Sequence, residues 1–314
     1  MLKKKLLYKI GQILLVLLGI SFLTFALTMF SPGDPVKQMI TGGEDLFITE
    51  AEVEALRHEL GLDKPFIFQY LAWLEKAVSG DFGYSFMAKL PVTTILWERL
   101  PATCFLSLAS LGFMLVVSVP LGVLAAVKRN GFFDAAVRFL TFFGISIPGF
   151  WLGLMLLWLF GLHLGWLPIV GSRVALDTII LPTLTLGIAM SSKYTRQVRT
   201  AILEELNQDY VIGARARGLS EKHILFKEVL PNAMLPLVTL LGLSLGSLLG
   251  GAAVIEIVFS WPGLGRLAVE AITYRDFNLV QGIVLWIALI YMCINLLVDF
   301  SYSYLDPRLK KGGN

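Results

Sequence analysis

The sequence predicts an all-α membrane protein of six transmembrane helices, with a small helical insert outside the membrane between the first and the second. Three observations carry that reading. The 314 residues are 56% hydrophobic with a mean hydropathy of +0.74, well above soluble averages. The apolar residues gather in runs of about 20, the length that crosses a bilayer. Lys and Arg are shared unequally between alternate connecting segments, with 17 on one side of the assigned topology and nine on the other, although the latter segments are longer. That positive-inside bias places both termini in the cytoplasm and requires an even number of spans.

The first span follows a basic start, Lys3, Lys4, Lys5 and Lys9, and runs from about Ile10 to Phe30. A signal peptide also begins this way, but the run is long for one and no small-x-small cleavage site closes it. Ser31-Pro32-Gly33-Asp34-Pro35 ends the span with turn residues. The insert that follows is acidic, with Glu44, Asp45, Glu50, Glu52, Glu54 and Glu59. Thr49 and Glu52 have capping-box spacing, with Val53, Leu56 and Leu60 on one face of the helix they open. A second insert helix is predicted from Pro65 to Val78, with Phe66, Tyr70, Trp73 and Ala77 inward. Gly80-Asp81-Phe82-Gly83 reads as a turn, since no lysine or helix start follows that would make it a phosphate cradle.

The remaining spans are predicted at about 101–127, 139–162, 178–192, 235–255 and 282–304. Pro148 should kink the third, because its ring removes a backbone donor. Gly242, Gly246 and Gly250 in the fifth are spaced for close helix approach. Between the fourth and fifth lies the most informative stretch, Gln208 to Pro236. It reads as two short helices joined at Gly218-Leu219-Ser220. Gly218 suits a left-handed helix end, and Ser220 can cap the next helix. Pro231 marks where the chain turns back toward the membrane.

Catalytic chemistry is sparse. Cys104 and Cys293 fall inside apolar runs and read as packing residues. His58, His163 and His223 are scattered, and no cluster has metal-ligand spacing. An intramembrane enzyme would need a nucleophile–base pair within the spans, and only His163 lies near one. Two acids, Glu256 and Asp299, sit in apolar surroundings, where a functional role competes with simple interfacial solvation. Met190, Ser191, Ser192, Ser247 and Glu256 are the candidates for lining a passage.

Ala214, Gly218, Leu230-Pro231 and Asn232-Ala233 resemble the cytoplasmic coupling loop of ATP-binding-cassette import permeases. The glutamate that opens the motif in many relatives is replaced by Ile212. Tyr210 and Ala214-Arg215-Ala216-Arg217-Gly218-Leu219 resemble the dipeptide, oligopeptide and nickel branch, as do Gly61-Leu62-Asp63-Lys64-Pro65, Gly80-Asp81-Phe82-Gly83, Phe259-Ser260-Trp261-Pro262-Gly263 and Asp306-Pro307-Arg308. The resemblance covers nearly the whole chain. It implies a type I importer bundle: residues 1–98 as the first helix plus extracytoplasmic cap, 99–306 as the permease core with its coupling loop at 208–232, and 307–314 as a cytoplasmic tail. It implies a multi-pass subunit of a bacterial cytoplasmic membrane, working with a second similar permease, two ATPase subunits and an extracytoplasmic binding protein, and not with nucleic acid. ATP and Mg would be bound by the ATPases, since Gly-x4-Gly-Lys-Ser/Thr is missing here; this chain would bind no cofactor. Tyr210, Ala214, Arg215, Arg217, Gly218, Leu219 and Pro231 are the expected coupling residues. The compact loop at 163–177 is similar to that of nickel permeases, so nickel is the first expected cargo, with dipeptides or oligopeptides as the alternative. A passive channel is the third class, and it leaves the coupling loop without a use.

Overall fold

A computed structural model of the chain describes residues 2–30, 49–59, 62–171 and 173–305. The predicted turn at 31–35, Gly61 and the Asp306-Pro307-Arg308 tail lie outside the described residues, as do the side chains of Glu52, Leu56, Ser247 and Asp299. The chain divides into two compact units, one comprising 1–101 and 263–292, the other 102–262 and 293–314.

In the first unit, α1 runs Leu2–Met29, eight residues earlier than the apolar run begins. Nothing in Lys3 to Lys9 breaks a helix, and hydropathy marks the bilayer rather than the helix end. The insert contributes α2, Glu50–Glu59, and α3, Phe66–Val78, both as expected. Val53 of α2 and Tyr70 of α3 are buried. Phe22 and Phe25 of α1 meet Phe66, Tyr70 and Trp73 of α3 at ring separations of 5.2 to 5.7 Å. Ser21 Oγ and Tyr70 OH, 2.8 Å apart, close that contact.

A two-residue hairpin follows, β1 Tyr84–Ser85 and β2 Leu90–Pro91, antiparallel, with Tyr84 opposite Pro91. No residue pattern announces it. It leads into α4, Val92–Val127. Pro101, read as the start of the second span, lies inside this helix at the junction of the two units. The first unit is completed by α12, Leu264–Thr273, and the start of α13, Phe277–Leu305. Val92, Ile95 and Leu96 pack with Leu264, Leu267, Ala271, Leu279 and Ile283 to form its core.

The second unit begins with the rest of α4. Then α5, Phe132–Ser146, meets α6, Gly149–Leu156, which continues as a π-helical turn, Leu157–His163. The two halves bend by 99° at Ile147-Pro148, as the missing proline donor predicts. Next comes α7, Leu176–Leu206. It runs fourteen residues past the predicted end at Ser192, because Lys193–Leu206 is polar but holds no breaker before Asn207. Two short helices, α8 Asp209–Ala216 and α9 Glu221–His223, lead through a second π-helical turn, Ile224–Val229, into α10, Leu230–Gly251. The expectation that the chain turns at Pro231 fails. Residues 221–251 are one helical run, and the wide turn before Pro231 accommodates a residue that cannot donate to the preceding turn. A Cβ at Gly242 would strike Val298, so that glycine does serve close helix packing. Last in this unit, α11 spans Ala253–Val258.

Among the described residues, three helices are long and apolar enough to cross a membrane: Leu7–Met29, Val92–Val127 and Phe277–Val298. The bent pair at 132–163 makes four if it is one span.

Candidate functional site: a packed knuckle at 205–237

The stretch singled out by sequence is a compact knuckle whose core is shared with α4 and α7. Val211 and Ala214 of α8, Ile224 and Val229 of the π turn, and Ala233 and Leu237 of α10 are buried together. Val198 and Ile202 of α7 and Val123 and Ala126 of α4 complete the cluster. The amphipathic spacing explains the local fold: Val211 and Ala214 are three apart, so one face of α8 is apolar.

The link between α8 and α9 follows the predicted chemistry. Gly218 has φ +79°, the left-handed conformation that glycine enters without strain. Its N–H donates to Arg215 O at 2.9 Å, and the Leu219 N–H donates to Ala214 O at 3.2 Å, the paired bonds of a Schellman end. Ser220 Oγ accepts from the His223 N–H at 3.3 Å and caps α9.

Burial redistributes the predicted coupling residues. Ala214 is 1% exposed. Its small side chain permits close packing inside the knuckle and presents nothing to a partner. Tyr210 is half-buried, and its hydroxyl donates to Glu205 Oε2 at 2.6 Å. Burial and the Glu205 carboxylate push its pKa up to about 12. Arg215 Nε and Nη2 hold Glu221 at 2.8 and 3.2 Å, a two-pronged clasp across the Gly218 turn. The hydrogen bond to Arg215 holds the Glu221 carboxyl below its usual value. Leu219 packs half-buried against the core. Arg217, Gly218 and Pro231 face outward, and Arg217 has no ion pair among the described residues.

Two residues not chosen from sequence complete the outer face. Ile212 is 58% exposed and Phe226 57% exposed, in a stretch that also exposes Arg217, Lys222 and Lys227. Ile212 was visible only as a departure from the motif. Phe226 sits in the π turn, where helical periodicity misassigns its face.

Ser191 and Ser192 are buried, Met190 is half-buried, and Ser247 lies outside the described side chains. Glu256 is wholly buried beside Thr103, whose hydroxyl donates to its Oε1 at 3.2 Å. Close by, Trp261 is sealed in the unit with its Nε1 donating to Ala102 O at 3.0 Å.

The chain is thus a helical protein with apolar membrane-length helices and a knuckle packed on the ends of α4 and α7. Comparison with known proteins gives it a family. Residues 118–311 match the binding-protein-dependent transport system inner membrane component, and residues 1–109 match the N-terminal region of the same membrane components. The chain belongs to this family of ABC importer permeases and is a multi-pass inner-membrane subunit. It is 38% identical over 306 residues to the oligopeptide transport system permease protein AppB of Bacillus subtilis, covering 94% of this chain and 95% of that one. It is 39% identical over 292 residues to the glutathione transport system permease protein GsiC of Escherichia coli, covering 93% and 94%. The membrane fold is similar to that of the methionine ABC transporter MetNI in inward-facing form, with a TM-score of 0.56 at 22% identity over 68% of this chain and 96% of that one.

Proposed function

We propose that this chain is one of two permease subunits of an ATP-driven importer, and that its cargo is a dipeptide or short oligopeptide. The observation that carries the cargo is near full-length identity of 38–39% to permeases named for oligopeptides, peptides and glutathione. Nickel, favoured by the short 163–177 loop, has less support. None of those names concerns a metal, and among the described residues no three His, Cys, Asp or Glu side chains stand together as donors.

In this reading the chain has six spans with the knuckle in the cytoplasm. ATP and Mg are held by two partner ATPases, and a binding protein delivers the cargo from outside. Ile212, Phe226 and Arg217 form the docking face, and Arg215, Tyr210 and Ala214 keep that face rigid. Because residues 221–251 are one helical run, a displacement of the docking face reaches the membrane part of α10 directly.

Uptake by the reconstituted four-subunit assembly with its binding protein tests this. Labelled dipeptide should accumulate only with ATP, and labelled nickel should not. Gly218→Asp should leave the chain inserted while ATP hydrolysis continues without uptake. Nickel accumulation in place of peptide would overturn the cargo, and full uptake by Gly218→Asp would remove the knuckle from the mechanism.

A further inference from the structure

The permease reading leaves unused a buried carboxylate with a two-pronged arginine partner. Asp134, in the first turn of α5, has no solvent exposure. Arg199 of α7 meets it with Nε at 2.6 Å from Oδ1 and Nη2 at 2.9 Å from Oδ2. The Asn130 N–H donates to Oδ2 at 3.0 Å, and Arg138 Nε lies 3.6 Å from the same oxygen. Asn130 is itself left-handed, with φ +64°, so the carboxylate also fixes the turn between α4 and α5.

At the other end of α5, Gly144 lies so close to α7 that a Cβ there would collide with Ser192 Oγ. Asp134, Val137, Thr141 and Gly144 share one helical face. Thus α5 is held to α7 at two points, one ionic and one steric, with buried Val137 and Thr141 between. Val198 and Ile202, which flank Arg199 on α7, belong to the knuckle core, as do Val123 and Ala126 at the end of α4.

We infer that the Asp134–Arg199 pair is a positioning clamp that makes α5, α7 and the knuckle a single moving body. It rests on the reading of the knuckle as the point where ATPase motion enters. A packed contact alone lets helices slide by small shears, whereas a planar guanidinium seated on a buried carboxylate fixes both register and rotation. Displacement of the knuckle is then delivered to α5, the first half of the bent pair, and not to α7 and α10 only.

The test uses the full complex with Cys104 and Cys293 replaced by serine and spin labels at Phe139→Cys on α5 and Glu204→Cys on α7, both exposed positions. With the clamp intact, the distance between labels is the same without nucleotide and with ATP bound. In D134L/R199L, which removes both charges together and so leaves neither stranded, the chain inserts, the distance distribution broadens and shifts with ATP, and solute moved per ATP falls by about tenfold, the upper range for a residue coupling two sites without touching either ligand. Should the double variant not fold, the two nucleotide states of the clamped protein decide alone. A label distance that already changes with ATP while the clamp is intact overturns the inference, as does full coupling in D134L/R199L. Loss of ATP-dependent uptake in the parent complex would instead defeat the permease reading, and the label distance would still report on the clamp.

Discussion

The knuckle and the hairpin of the first unit are both short turns with polar edges, yet they dispose of their polar groups in opposite ways. At the hairpin, Asp276 is buried and three bonds converge on its carboxylate. Ser85 Oγ donates to its Oδ2 at 2.6 Å, the Met87 N–H to the same oxygen at 3.1 Å, and the Leu279 N–H to Oδ1 at 3.1 Å, capping α13. Asn278 Nδ2 adds a bond to Tyr84 O at 3.0 Å. At the knuckle, the core is apolar, while Arg217, Ile212 and Phe226 point outward. Internal satisfaction of polar groups marks scaffolding. On the proposed function, a packed core that displays cations and apolar side chains is the surface offered to the ATPases.

The sharpest way to break the contrast is Asp276→Ala. It strands the Ser85 hydroxyl and the Met87 N–H and removes a helix cap, so stability should fall by about 3 kcal/mol in thermal unfolding, with the ATP-to-uptake ratio unchanged in whatever protein folds. Next is Phe226→Ala. It should weaken assembly with the ATPases by about 2 kcal/mol, roughly thirtyfold, measured by titration of the detergent-solubilised permeases, while the melting temperature of the free permease stays put. An equal loss of stability in both variants would erase the distinction between scaffold and docking face.

Gly218→Ala comes third. A Cβ there meets nothing within 4 Å, so only the left-handed φ penalises it, by about 1 kcal/mol, and Gly218→Asn should be milder. The smallest effect is in pH. The Tyr210 pKa is raised, so its contribution is complete below the ordinary value of 10 and is lost as pH rises toward about 12. Phenolate absorbance against pH should contain a late-titrating component from Tyr210 that Glu205→Gln brings down. Glu221 runs the other way: its contribution holds above the ordinary value of 4.5 and fades as pH falls through the lowered value. Between these limits the knuckle should be insensitive to pH.

Local backbone chemistry was legible where one residue decides it. Pro148 announced the 99° bend, and Gly218 and Ser220 announced the turn and cap of the knuckle. The inward face of α3 followed from Phe66, Tyr70 and Trp73. Helix ends were misjudged where polarity changed without a breaker, as at Lys193 in α7 and at the start of α1. Motif position did not tell inward from outward: that Ala214 is buried and that Arg215 meets Glu221 are visible only in the fold. Asp134 and Arg199, 65 residues apart, and Ser85 and Asp276, 191 apart, carry no local signal that they meet.

The π turn at Ile224–Val229 sets a length constraint on everything beyond it. A wide turn holds more residues than an α turn of the same height, so its residue count fixes the angle at which α10 leaves. Removing one residue from 224–229 would swing the rest of α10 by about 100° and draw it in by about 1.5 Å, presenting a different stripe of side chains to α7 and α13. In this segment a change of spelling should be forgiven far more readily than a change of length.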